Sequence, residues 1–392
     1  MIFREGLGMK FISLALTRRT TRTVFCTTAL LSAVLLLALE SSAQWGSGNA
    51  VYTKQGIEIS ADSRVTALFA MLNGQGYDAE EQRGPPPLQL PQYTQARVKA
   101  RSALGRPGTG MRKFGKFIES KPGSVRKYIK ATLQLGPSPT FEPQGKISKI
   151  GKGIYKPMRT WFNEEGGIRI QQLVNDSVKT DQRKLKGLLE KTCAPLVESI
   201  RLGDEEEQLL DDTGPSGRVI VSLNPLDSHN TLYRVKTGNV TYLVAGASTD
   251  EQWGLLVDAA TFSFARTLVQ QEVKKNVGKG TLGDLFMELP ARVKKRVKSK
   301  EEFVTDIVAC ALVKNVHPTF TCHEASTPLS AAKLQPVLEA VSGRIGDYLS
   351  SEALFPEAVA TITAGLSVEP AMMDIDGGVA DMPANDSAGE QE

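Results

Sequence analysis

Histidine is scarce in this chain. Its 392 residues include three, His229, His317 and His323, and that scarcity excludes most imidazole chemistry. A Ser-His-Asp hydrolase needs its nucleophile on an exposed elbow, and no G-x-S-x-G occurs. His229, in Ser228-His229-Asn230, reads as a solvated turn residue. His323-Glu324 begins like the zinc motif H-E-x-x-H, but Thr327 stands where the second imidazole belongs, and a helix needs both on one face to hold the metal. His317, Cys322 and His323 are too irregularly spaced for a metal cluster to be favoured over a looped segment.

Cysteine is almost as sparse, with Cys26, Cys193, Cys310 and Cys322. Cys193 falls inside an apolar helical pattern and reads as a buried small residue. Cys310 and Cys322 are a candidate disulfide closing a short loop through Pro318, in a chain expected to meet oxidising conditions. Nucleotide motifs are incomplete too. Gly110-Met-Arg-Lys-Phe-Gly115-Lys116 matches a phosphate loop until Phe117, where a Ser or Thr must contact magnesium. Gly278, Gly280 and Gly283 spell G-x-G-x-x-G but follow a helix, whereas the dinucleotide fingerprint follows a strand. Both stretches read as turns, and no cofactor follows from either.

Long apolar runs are also missing. The nearest approach, Val24 to Leu39, is shorter than the roughly 20 residues of a membrane-spanning helix. With Arg18, Arg19 and Arg22 before it and the small residues Ser41 and Ala43 after it, it has the layout of a secretory signal peptide. Residues 1–43 are therefore expected to be removed, leaving a secreted or periplasmic chain with no stable transmembrane span. Hydrophobic residues make up 41% of the sequence, enough for a substantial core.

Four segments follow in the expected organisation. Residues 44–92 hold a strand within Val51 to Ser60, a short helix capped by Asp62 or Ser63, and the Pro-rich connector 84–92. Residues 93–366 form the main globular domain, with a basic helical part (93–215) and a part carrying a sheet and central helices (216–366). Residues 367–392, acidic and without a basic side chain, read as a disordered tail. Helices are expected to break at Gly105 to Gly110 and at Pro122-Gly123, and a long one, about Ile168 to Arg201, to end or bend at Pro195. Arg218 to Leu223, Thr231 to Val235 and Val240 to Ala245 read as strands, the last two joined by a hairpin at Thr237-Gly238-Asn239. Leu255 to Lys275 and Glu301 to Val313 read as apolar helices, with two more near 330–350 and 356–364. The expected class is α+β, helix-dominated, with a small mostly antiparallel sheet packed on a central apolar helix.

Charge supplies the strongest pattern. Residues 97–159 hold sixteen basic side chains against two acidic ones, Glu119 and Glu142, interleaved with Phe114, Phe117, Tyr128, Phe141 and Tyr155. Such a stretch can hold an anionic envelope polymer, a nucleic acid or a membrane surface by counterion release and stacking. Lys113, Lys116, Arg126, Lys127 and Lys130 are the candidate anion-binding residues. The alternative is a solvated helical face neutralised by the acidic run Asp204 to Asp212 or by the tail.

At the strand, hairpin and helix from Arg218 to Lys275, followed by Glu301-Glu302 opening a helix, the chain resembles, over about Val51 to Leu354, a family of secreted bacterial proteins related to zincin (gluzincin-like) metallopeptidases. The resemblance implies a zincin-like fold with an H-E-x-x-H helix and a later helix supplying a glutamate ligand. Laid on that pattern, Ala260 and Phe264 replace the two histidines, Thr261 the general-base glutamate, and Glu302 alone matches, at the third ligand. A zinc held by two histidines and a glutamate polarises water with the help of a second carboxylate. The resemblance thus implies a degenerate, non-catalytic relative with a binding or structural role. A hydrolase using carboxylates from distant segments is the remaining alternative.

Overall fold

Four short strands rich in β-branched residues set the plan of the molecule: β1 (Ile57–Ser60), β2 (Arg218–Leu223), β3 (Leu232–Thr237) and β4 (Val240–Ala245). In this computed structural model the described residues are 56–78, 91–203, 217–229, 231–246, 250–289, 291, 294, 299–320 and 335–365. Eleven named α-helices accompany the strands: α1 (Ser63–Asn73), α2 (Pro91–Leu104), α3 (Thr109–Ser120), α4 (Val125–Thr132), α5 (Lys149–Glu164), α6 (Gly167–Glu198), α7 (Asp250–Asn276), α8 (Thr281–Glu288), α9 (Lys300–Val316), α10 (Gln335–Leu349) and α11 (Phe355–Ala364). The class is α+β, with helices dominating a small mixed sheet.

The strand order is β1-β2-β4-β3. β1 pairs with β2 and β2 with β4 in parallel, and only β3 and β4 are antiparallel. The expected mostly antiparallel sheet is thereby corrected. Only the β3–β4 hairpin is a local pairing, with Gly238 at φ 60° supplying its tight turn. The parallel pairings come from long-range connections that strand spacing does not reveal. After β2 the chain steps across the end of β4 to the outer position, descends as β3, and returns as β4 between its neighbours. β1 and α1 are built into this fold, since β1 completes one edge of the sheet.

Strand side chains alternate between two cores. Ile57, Ile59, Val219, Val221, Leu223, Leu243 and Ala245 face one, shared with α7, α9, α10 and α11. Ile220, Val235, Tyr242 and Val244 face the other, shared with α1 and with Met111, Phe114, Ile154, Met158 and Trp161 of α3 and α5. Burial on both faces explains why β2 and β4 read as nearly continuous apolar runs. α6 serves both cores, with Ile170 and Val174 in the second and Val178, Leu185, Leu189 and Leu196 in the first. Its 32 residues make it about 48 Å long. The helix runs three residues beyond Pro195. That proline lies in the last turn, where the helix closes at Glu198, so the missing N–H removes only one bond near the end.

A polar clasp ties the start of α1 to the sheet. The Asp62 carboxylate caps α1 by accepting from the Arg64 N–H at 2.8 Å, and pairs with the Arg64 guanidinium at 2.5 Å. Arg64 also donates to the carbonyls of Leu133 and Leu135 at 3.2 and 3.0 Å and meets the Tyr242 hydroxyl at 3.1 Å. Burial alone pushes the Asp62 carboxyl up, but its bonds to Arg64 prevail and hold it below the usual carboxylate range.

Candidate functional site

Two of the four positions compared with zinc ligands from the sequence, Ala260 and Phe264, are packed in hydrocarbon. Both are fully buried on α7, in the core cluster that also holds Ala265, Val269 and side chains of α6 and α9. Thr261, also buried, shares a hydrogen bond of 2.8 Å with Thr192 of α6. Glu302 is not brought to them. It opens α9, one of the residues after the Ser299 cap, and pairs with Lys236 of β3 at 3.6 Å. The four positions therefore do not form one site. Successive residues of a helix turn by about 100°, so the face of α7 opposite Ala260 and Phe264 carries Phe262 and Arg266. That face meets Arg234 of β3 and Asp306 of α9.

A compact ionic cluster lies there. Arg266 forms an ion pair with buried Asp306 of α9, and the Arg234 guanidinium from β3 sits 5.4 Å from the centre of the Phe262 ring. Burial, helped by the neighbouring Arg266, draws Arg234 down to about 10. Burial likewise pushes the Asp306 carboxyl above its usual range, with Arg266 and Arg234 opposing. The Arg266–Asp306 pair fastens α7 to α9, and Arg234 against Phe262 fastens the sheet edge to α7. Among the described residues no group of three His, Cys, Asp or Glu side chains could hold a metal ion.

The other residues singled out from sequence have structural surroundings. His317 ends α9 with Nε2 at 2.7 Å from the Thr192 carbonyl. Cys193 is a free, buried thiol pushed up by burial to about 12, which removes it as a nucleophile. Cys310 is disulfide-bonded. With Cys193 free its partner lies outside the described residues, as do Cys322, His323, Glu324, the acidic run and the tail. His229 is part-buried in a turn, its ring 5.0 Å from that of Tyr77 and its Nδ1 3.0 Å from Ser228 Oγ, so it is less solvated than its sequence context suggests. Gly110 to Lys116 is helical, inside α3, not a turn. A 3-10 turn at Val277–Lys279 and the start of α8 take up the other glycine pattern.

The basic stretch forms the most distinctive surface. Fifteen of its sixteen cations are exposed, Arg97 being half-buried. α3 and α5 pack antiparallel at close quarters. A side chain at Gly110 would strike the backbone of Pro157 and Trp161 at 2.7 Å, and one at Gly153 would overlap the Phe117 ring. The pair is locked at one end by Glu165, the C-cap of α5. Its carboxylate accepts the N–H groups of Gly110 and Met111 at 2.5 and 3.2 Å, replacing the side-chain cap that Gly108 lacks.

With Met111, Phe114, Ile154, Met158 and Trp161 turned to the core, the helical period puts Lys113 and Lys116 of α3 beside Lys149, Lys152 and Lys156 of α5 on the outward side. None of these five lysines is in an ion pair among the described residues. Lys156 lies 5.9 Å from the Tyr155 ring centre, and Glu119 falls on the flank of α3 away from α5. Of the residues expected to bind anions, Lys113 and Lys116 lie on this seam, while Arg126, Lys127 and Lys130 lie exposed on α4. Arg126 gives one donor to the Arg234 carbonyl at 3.0 Å.

Sequence reasoning did not single out Lys149, Lys152 and Lys156; their i, i+3, i+7 spacing was the available signal. It also overestimated stacking. Phe114, Tyr128 and Phe141 are buried core residues, and Phe117 and Tyr155 are half-buried.

Fold and site together define a helix-dominated α+β protein carrying a cationic helix pair on one side of a mixed sheet. Comparison of the chain with family models, curated proteins and solved structures finds no match.

Proposed function

We propose that this is an exported binding protein that engages an anionic polymer or surface through the lysine seam of α3 and α5. One observation carries the reading: five outward lysines on two locked helices, without carboxylate partners among the described residues. Structural ion pairs consume charge, as Arg266 and Asp306 do; an uncompensated row keeps its counterions for release to a polyanion. Salt-sensitive binding to heparin or lipopolysaccharide by the purified chain tests it. Charge reversal at Lys113, Lys116, Lys152 and Lys156 should weaken binding and flatten its salt dependence. The same number of reversals at Lys179, Lys186, Lys191 and Lys184 of α6 serves as the control, and equal losses in both variants would overturn the assignment.

The zincin-like relationship enters as a proposal of ancestry without catalysis. It is supported by the order of sheet, α7 and α9, and by the hydrocarbon around Ala260 and Phe264. Stoichiometric zinc in the purified protein, with peptide hydrolysis lost in Glu302→Ala, would contradict it.

A further inference from the structure

We infer that the partner of the seam is a linear phosphate polymer read by the spacing of its charges, with no recognition of bases. This rests on the binding role proposed above and narrows its ligand.

Three features of the surface point the same way. First, neighbours at i, i+3 and i+4 on a helix stand about 5–6 Å apart, and Lys149, Lys152 and Lys156 follow that spacing with Lys113 and Lys116 alongside. A polymer must carry charges at comparably short intervals to meet them one for one. A phosphodiester strand does so, with one charge per ~3.4 Å when stacked and fewer when extended. A glycan with a single carboxylate per disaccharide is too sparse.

Second, among the described residues no fully exposed aromatic ring lies on the seam; the ring beside it, Tyr155, is half-buried, with Lys156 5.9 Å from its centre. Single-strand binders that use bases present exposed aromatic faces, whereas Phe114, Tyr128 and Phe141 are buried, and the half-buried Phe117 ring lies against Gly153. Third, the five cations are lysines, compact point charges without the planar fork by which arginine reads a phosphate or guanine edge. Nor does the seam carry an apolar wedge for a bilayer, because the exposed large hydrophobic residues, Val98, Ile168, Leu255, Met287 and Leu354, are on other helices or in the segment before α11.

Fluorescence anisotropy on the full chain separates the possibilities. The probes are inorganic polyphosphate, an abasic phosphodiester oligomer, oligo-dT and oligo-dA of equal charge, hyaluronan, and phosphatidylglycerol vesicles. The two oligonucleotides and the abasic oligomer should bind within about twofold of one another, polyphosphate should bind comparably, and hyaluronan at least about tenfold more weakly. With five lysines engaged, the logarithm of affinity should fall with that of salt at a slope of about −3.5 for single strands.

Base stacking contributes ~1–3 kcal/mol per base. A preference of about tenfold or more for oligo-dA over the abasic oligomer would therefore overturn the inference while leaving anion binding intact. Tightest binding to the vesicles, or hyaluronan binding as well as polyphosphate, would do the same. Absence of salt-sensitive binding to every polyanion, heparin included, would remove the binding role itself.

Discussion

Glu165 and Gly110 are joined by a 2.5 Å hydrogen bond from the backbone N–H of the glycine to the carboxylate. Because Gly108 brings no cap of its own, this contact satisfies the first turn of α3 and places a negative charge at the positive end of its dipole. Glu165→Ala should cost about 1–2 kcal/mol, and Glu165→Gln less, since the amide oxygen still accepts. Urea denaturation monitored by circular dichroism checks both. A shift in midpoint without a change in slope is expected, and equal stability of all three proteins would contradict this role.

Asp62 and Arg64 behave as a buried pair with further bonds on the arginine side. Removing the carboxylate in Asp62→Ala leaves a guanidinium that is 12% exposed without its counter-charge, a loss of roughly 3 kcal/mol or more.

The same pair sets a pH dependence. The folded-state carboxyl of Asp62 lies below its ordinary value, so its contribution is present above the usual carboxylate range, near 4. It is lost as the pH falls through that range toward the folded value. The stability difference between the wild type and Asp62→Asn should therefore shrink on acidification from about pH 5. A constant difference down to the acid transition would show that the charge is not involved.

Asp306 works in the opposite sense, since burial raises its carboxyl. Asp306→Ala should destabilise by about 3–5 kcal/mol, because it strands Arg266 and Arg234 in a buried setting. The double replacement Arg266→Met with Asp306→Leu should recover much of that loss. A double-mutant cycle showing simple additivity would contradict the coupling.

The Cys193 thiol, buried and pushed up to about 12, should resist iodoacetamide in the native protein at neutral pH and react on denaturation. Peptide mass spectrometry reads this directly, and rapid native alkylation would be inconsistent with the packing.

The legible parts of the fold were those written in short-range periodicity. Asp62 before an apolar helical pattern, Thr237-Gly238-Asn239 between two β-branched runs, and the apolar run within α7 each identify an element locally. Parallel pairing of β1 with β2 joins segments about 160 residues apart, and no local pattern encodes it. Pro195 marked the end of α6 to within one turn, since the helix closes at Glu198. The basic stretch was visible as composition, but its organisation required Gly110 and Gly153, whose missing side chains let α3 and α5 approach and gather Lys113 and Lys116 beside the lysines of α5. The aromatics of that stretch looked like stacking surfaces until the fold turned three of them inward.

Lysine acetylation by a water-soluble N-hydroxysuccinimide ester, with and without saturating polyphosphate and quantified by peptide mass spectrometry, examines the seam residue by residue. Lys113, Lys116, Lys149, Lys152 and Lys156 should be protected together, while Lys179, Lys186 and Lys191 of α6 react as before. Uniform protection across both sets, or protection of the α6 lysines alone, would contradict a binding role for the α3–α5 pair.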